Sequence, residues 1–344
     1  MHTHACKPGL LFKTFRLVSP AMTDILNNAL AYALDKTGGA IPPVAAINAT
    51  GAEDVTIAKT SNNACNKLPN TLNGVFNTIL VRGTRQKEET LGLVALAAAH
   101  ADPAGKIYVA QANEHGAGSL EKTLLRAFPA LQSIIKFKCR VMVLEAGQGD
   151  AGILQKWTEN AAIRKVKHNR GEFWSAPGVF SWDRPDAGSR MLLEHLPREM
   201  PGKVADLGCG NGLLAGFIVK KEGLTDLYAI DADSRAVECC RLNLEERGYS
   251  VGENVMWRDA TGDLSDLPRM DYVVMNPPFH DQQKEDRELG QKFCNSAMKL
   301  LRSGGELYLV ANRHMPYEEI LAKEASNVTL LEDANGFKIF RARK

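Results

Sequence analysis

The sequence predicts an α/β protein of two tandem domains, the second built on a seven-stranded, mostly parallel sheet closed by a C-terminal antiparallel hairpin. Three observations predict it. Strands and helices alternate through residues 203–310, two strand-like runs at 328–331 and 337–340 flank the turn Asp333-Ala334-Asn335-Gly336, and the first half faintly repeats the second. A chain of 344 residues has room for two domains of roughly 100–200 residues each.

The elements of the second half follow in order. An apolar strand at 203–207 runs into a glycine-rich turn, Gly208 to Gly212, and a second strand covers 226–230. Ser234 can cap the next helix, whose Val237, Cys240 and Leu244 recur at helical spacing before Gly248 stops it. Strands at 255–258 and 272–275 come next, then a helix with Leu289, Phe293, Ala297 and Leu300 on one face, ended by Gly304 and Gly305. A fifth strand, 306–310, precedes the hairpin.

In the first half, a helix from Leu91 is stopped by Gly105 and leads into Lys106-Ile-Tyr-Val-Ala-Gln-Ala-Asn113, which parallels Glu306-Leu-Tyr-Leu-Val-Ala-Asn312. A helix at 119–128 matches one at 316–325, and 140–144 supplies a late strand. This copy lacks the glycine-rich turn and shows Val81-Arg82-Gly83 where the second copy has Asn-Pro-Pro, so it reads as a duplicate that lost its chemistry. The chain divides into a degenerate domain at 1–150, for RNA binding or scaffolding, a basic and aromatic linker at 151–190, and a catalytic domain at 191–344. In the linker, Lys165, Lys167 and Arg170 stand among Trp157, Phe173, Trp174, Phe180 and Trp182, a composition that suits RNA and equally suits a solvated helix face over core aromatics.

Composition excludes several classes. With 44% hydrophobic and 24% charged residues the chain is globular, and no apolar run approaches the roughly 20 residues that span a bilayer. The seven cysteines show no CxxC spacing, which argues against a zinc site or a disulfide framework and for free thiols in a cytoplasmic, metal-free protein, expected as a monomer. The basic N-terminal leader lacks a clear cleavage site, and Met22 is an alternative start to Met1. A net charge of +2 means that a nucleic-acid partner must be met by local patches.

Two motifs carry chemistry. Asp206-Leu-Gly208-Cys209-Gly210-Asn-Gly212 sits between strand and helix, but lacks the third glycine of a dinucleotide fingerprint and the Lys and Ser/Thr of a P-loop. Asp206 can receive the ammonium of a methionine moiety, Asp231 at the end of the second strand both ribose hydroxyls, and Asp259 with the Ala260 backbone the adenine amine. Together they point to S-adenosylmethionine. The second motif, Asn276-Pro277-Pro278-Phe279-His280, ends the fourth strand, where open α/β sheets place their ligand crevice. An exocyclic base amine is a poor nucleophile; the Asn276 side-chain oxygen and the Pro277 carbonyl can accept its two hydrogens, and Phe279 can stack on a flipped base. His280 reads as a polar loop residue near the RNA.

Pro177-Gly-Val-Phe-Ser181, Asp186-Ala-Gly-Ser189, the glycine motif and Asn276-Pro-Pro-Phe-His280, in this order, resemble the bacterial ribosomal RNA guanine-N2 methyltransferases. The resemblance covers most of residues 173–344 and implies two tandem class I methyltransferase (Rossmann-like) domains, the first degenerate, acting on ribosomal RNA or a ribosomal subunit, the small subunit favoured. It also implies cofactor roles for Asp206, Gly208, Gly210 and Asp231, target-base roles for 276–279, and a segment with Phe180 and Ser189 that closes over the cofactor. Asp259 departs from the Asn of the family. Beside guanine N2, the residues leave open adenine N6, a protein glutamine amide, or a noncatalytic RNA-binding assembly role.

Overall fold

The computed structural model describes residues 22–37, 44–47, 56–58, 74–168, 171–250, 252–277 and 284–344, in two compact units, Met1–Ala162 and Ile163–Lys344. In the first unit the described elements are α1 (Met22–Lys36), β1 (Val44–Ile47), β2 (Thr56–Ala58), β3 (Phe76–Arg82), α2 (Lys87–His100), β4 (Ala101–Ala112), α3 (Ala117–Ala127), β5 (Gln132–Lys136), β6 (Cys139–Glu145) and α4 (Ala151–Ala161). The sheet order is β2-β1-β3-β4-β6-β5, with β6 antiparallel to both its neighbours and the other pairs parallel. Alternation along the strands sorts the core: Ile79, Val81, Ile107 and Val109 pack with Val94, Leu124 and Trp157, whereas Leu80, Tyr108 and Val141 pack with Leu26 and Leu30 of α1.

The second unit opens with a hairpin, β7 (Arg164–His168) and β8 (Gly171–Ser175), and continues through α5 (Ala187–His195), β9 (Glu199–Leu207), α6 (Ala215–Ile218), β10 (Glu222–Asp231), α7 (Ser234–Glu245), β11 (Val255–Trp257), β12 (Met270–Met275), α8 (Lys284–Leu300), β13 (Leu301–Asn312), α9 (Tyr317–Leu321), β14 (Asn327–Ala334) and β15 (Phe337–Arg343). Its seven strands lie in the order β11-β10-β9-β12-β13-β15-β14. Removing β11 leaves the order of the first unit, strand for strand, so the duplication is visible in topology as well as in sequence. The α8 face formed by Phe293, Ala297 and Leu300 packs on Leu207, Val273 and Leu309, and Val237 and Cys240 of α7 pack with Val204, Ala229 and Val310 on the opposite side of the sheet. Asn335 and Gly336, at φ 52° and 82°, form the two-residue turn that makes β15 antiparallel to β13.

Three local expectations are corrected. The cap of α7 is Asp233, whose Oδ1 accepts from the Arg235 N–H at 2.9 Å; Ser234 is already helical, with a buried hydroxyl that has no partner among the described residues. Gly105 and Gly304–Gly305 do not stop helices: α2 and α8 end at His100 and Leu300, and the glycines lie inside β4 and β13 beside register shifts. Gly105 serves close approach there, since a Cβ would meet the Asn77 carbonyl oxygen at 2.7 Å. The 151–190 stretch is divided: α4 belongs to the first unit and packs on α2, while the β7–β8 hairpin belongs to the second and packs on α7.

Candidate active site

The carboxyl ends of β9, β10, β11 and β12 share one edge of the second sheet, and the residues singled out in the sequence stand along it. Leaving β9, the chain turns at Gly208, φ 76°, a backbone that side chains disfavour, and the N–H groups of Gly208 and Cys209 donate to the Ile230 carbonyl at 2.8 and 3.1 Å. Gly212 is required for a second reason: at φ 83° a Cβ would fall 2.8 Å from Cys240 Sγ on α7. The Cys240 thiol beside it, together with burial, pushes the Cys209 thiol well above its ordinary value, and its Sγ lies 3.8 Å from the Gly210 carbonyl.

Two carboxylates flank this bend. Asp206 is fully buried; its Oδ2 accepts from the Ala215 N–H at 2.9 Å, and its Oδ1 has no partner among the described residues. Burial pushes this carboxyl up to about 7, the nearby Asp231 adding to the rise and the Ala215 N–H opposing it. Asp231 Oδ2 accepts from the Gly210 N–H and Oδ1 from the Asp233 N–H, both at 2.8 Å. Burial raises Asp231 to about 6 against the pull of those N–H groups. A buried acceptor without a donor is costly, and a cationic or hydroxyl-bearing ligand relieves that cost. The orphaned Oδ1 of Asp206 therefore fits an amine such as that of S-adenosylmethionine.

Asn276 follows β12 directly and is buried. Its Nδ2 lies 2.9 Å from Asp186 Oδ2 and 2.7 Å from Ser189 Oγ. An ionised carboxylate only accepts, so the atom facing Asp186 must be the amide nitrogen. With both hydrogens of Nδ2 engaged, Oδ1 is the group left to receive a donor. Asp186 is itself held in place as the cap of α5, accepting from the Ser189 N–H at 2.7 Å.

Of the remaining candidates, Phe180 lies against the bend, its Cβ 3.9 Å from where a Gly210 Cβ would be, with a half-exposed ring. Asp259 Oδ1 accepts from the Thr261 N–H and hydroxyl at 2.8 and 2.7 Å, a turn that leaves its other oxygen without a hydrogen bond to a described residue, and Ala260 is buried. Pro277 is buried beside Asn276, whereas Pro278, Phe279, His280 and Arg170 lie outside the described residues. Lys165 is paired with Glu246 and sits over the Trp174 ring, and Lys167 is exposed, 3.7 Å from Glu172. Sequence reasoning missed Asn243, buried on α7. It accepts from the Trp174 N–H at 2.7 Å and donates to the Trp174 and Asn211 carbonyls at 2.8 Å, tying the β7–β8 hairpin to the glycine bend. The signal was there, a lone amide in the apolar stripe of Val237, Cys240 and Leu244. Among the described residues no group of three His, Cys, Asp or Glu could hold a metal, and no helix is long and apolar enough to cross a membrane.

A parallel sheet closed by an antiparallel hairpin, with acids at successive strand ends around a glycine bend and an Asn-Pro corner beside them, defines a class I methyltransferase that uses S-adenosylmethionine. Residues 170–341 match the methyltransferase small domain family. The chain is 30% identical over 267 residues to the ribosomal RNA small subunit methyltransferase C of Shewanella pealeana, covering 77% of this chain and 76% of that one. With the protein of the same name from Psychromonas ingrahamii it shares 29% over 266 residues, 77% of this chain and 75% of the other. Its fold resembles that of a T. thermophilus 16S rRNA N2 methyltransferase solved in complex with AdoMet and guanosine, with a TM-score of 0.72 over 90% of each chain at 21% identity. The chain belongs to the ribosomal RNA small subunit methyltransferase C family.

Proposed function

We propose that this protein transfers a methyl group to the exocyclic N2 amine of a guanine in small-subunit ribosomal RNA, in the cytoplasm. The observation that carries the reading is the orientation of Asn276: with Nδ2 given to Asp186 and Ser189, the side chain offers a nucleophile only an acceptor. An aromatic amine is that kind of partner. Asn276 Oδ1 and the Pro277 carbonyl take its two N–H bonds, which localises the nitrogen lone pair, and the surplus proton leaves for water once the new N–C bond has formed. Asp206 would hold the ammonium of the donor, the backbone at Gly208, Cys209 and Gly210 would lie along it, Asp231 would take the ribose hydroxyls, and Asp259 with Ala260 would face the adenine. S-adenosylmethionine, when bound, supplies a methyl group activated by its sulfonium. Phe180 and Ser189 border the same site, Pro278 and Phe279 are assigned to the target base from sequence, and the first domain is assigned to RNA binding or scaffolding.

The test uses labelled donor and small subunits from cells lacking the gene, followed by nucleoside analysis. Wild-type protein should yield N2-methylguanosine, and Asn276→Ala should lower kcat by about 10²–10³-fold while donor affinity stays within threefold, as expected for loss of one positioned hydrogen bond in the transition state. Label in protein or in adenosine would overturn the reading.

A further inference from the structure

The second unit has a cleft of about 740 Å³ that the methyl-transfer residues leave unused. It begins at Thr261, in the turn after β11, and runs along α8 to Lys344, where Arg269, Lys299 and Lys344 sit beside the starts of β12 and β13, at the sheet edge opposite the candidate active site. Its lining residues include the cations Arg269, Lys292, Lys299 and Lys344 against one acid, Asp263, whose Oδ1 accepts from the Ser265 N–H in its own turn at 2.9 Å. Lys292, Ser296 and Lys299 recur at helical spacing, so α8 lays two ammonium groups and a hydroxyl in a row along the cleft. Neither lysine makes an ion pair with a described residue, and the side chain of Ser296, 8% exposed, makes no hydrogen bond to one. At the far end Lys344 Nζ donates to the Met298 and Leu301 carbonyls at 2.6 and 3.0 Å, capping α8, while Arg269 donates to the Lys299 carbonyl. Burial and the like charge of Arg269 lower the pKa of Lys344, with Glu324 opposing.

Like charges gathered in a polar cleft without matching acids are unfavourable to the free protein and favourable once an anion with several negative groups is bound. We propose that this cleft binds the phosphodiester backbone of the substrate RNA at a distance from the methylated nucleotide. The partner is a polyanion because the cations form a row rather than a single nest, and the polyanion that the proposed reaction brings to this protein is the substrate RNA, which would reach the cleft along α8 from the opposite edge of the sheet. The assignment rests on the ribosomal RNA reading above.

The experiment measures binding of an unmodified small-subunit rRNA transcript to the full chain over a salt series, together with methylation kinetics. Lys292→Glu/Lys299→Glu, two exposed positions, should raise the RNA Kd and KM about tenfold or more and flatten the salt slope by about one to two charges, leaving donor Kd and thermal midpoint unchanged. A charge-matched control, Lys220→Glu/Lys323→Glu, should change RNA Kd less than threefold. An RNA Kd within twofold of wild type with an unchanged slope overturns the proposal, and so does normal RNA binding with activity lost only on assembled subunits, which indicates a protein partner. Failure of wild-type protein to bind or methylate rRNA would overturn the functional reading first and this inference with it.

Discussion

Asp186 Oδ2 lies 2.9 Å from Asn276 Nδ2, across 90 residues of chain, and the same oxygen accepts the Ser189 N–H that starts α5. A helix cap thereby sets which end of the Asn276 amide faces the nucleophile. Rotating that amide would place two acceptors against each other, at a cost of about 1–3 kcal/mol for the hydrogen bond left unmade.

The cap and the orienting contact can be separated. Asp186→Ser keeps a good capping residue but is too short to reach Asn276; kcat should fall about 10–100-fold with donor KM and thermal midpoint little changed. Asp186→Asn retains an oxygen able to accept both hydrogen bonds and should restore kcat to within about threefold of wild type. Equal loss in the two variants, or none in the serine variant, would show that Asp186 does not orient Asn276.

Donor binding should weaken in acid. Asp206 and Asp231 titrate at about 7 and about 6 in the free protein, and both must be ionised to receive an ammonium and hydroxyls. Below pH 7 binding must therefore release a proton, and below 6 a second. Calorimetric titration between pH 7.5 and pH 5.5 should show affinity falling by about tenfold per unit and then more steeply. Asp206→Asn should bind more weakly at pH 7.5 and lose the upper part of that slope; a flat profile in the wild type would remove the ammonium from Asp206.

The same group acts on folding with the opposite sign. A carboxyl whose folded pKa is raised from 3.8 to about 7 disfavours the folded state once it ionises, so its penalty is absent near pH 3 and complete above pH 7. Asp206→Asn, which can still accept from the Ala215 N–H, should be more stable than wild type at pH 8 without donor, by about 1–4 kcal/mol, and the gain should shrink as pH falls toward 5. Chemical denaturation at the two pH values measures it.

How much of this was legible depended on sequence distance. Asp206 with its glycines, and Asn276 with Pro277, were readable because strand, turn and functional group are contiguous, and Asp231 because its strand ends in a single acid before a helix. The contacts that control those groups were not readable. Nothing near Asn276 names Asp186 as its partner, and nothing in the basic run around Lys165 shows that Glu246 pairs with it. Local errors had local causes: Asp233 and Ser234 are both capping types, and only the backbone, extended at Asp233, decides between them. Gly105 and Gly304 looked like helix stops because a bulge and a stop ask for the same residue.

Asn243 supplies the last test, because it links two segments that the sequence leaves unrelated. Its amide pairs with both backbone groups of Trp174 and with the carbonyl of Asn211 inside the glycine bend. Asn243→Ala strands one N–H and two carbonyls in a part-buried place, at about 2–4 kcal/mol, which for a unit of this size lowers the thermal midpoint by roughly 5–15 °C. Donor affinity should fall as well, since the bend loses the contact that holds Asn211. Asn243→Asp keeps the acceptor for the Trp174 N–H but sets a carboxylate against two carbonyls, so it should be no better than alanine. A midpoint within 2 °C of wild type in the alanine variant would mean that water replaces the amide and that the hairpin does not brace the bend.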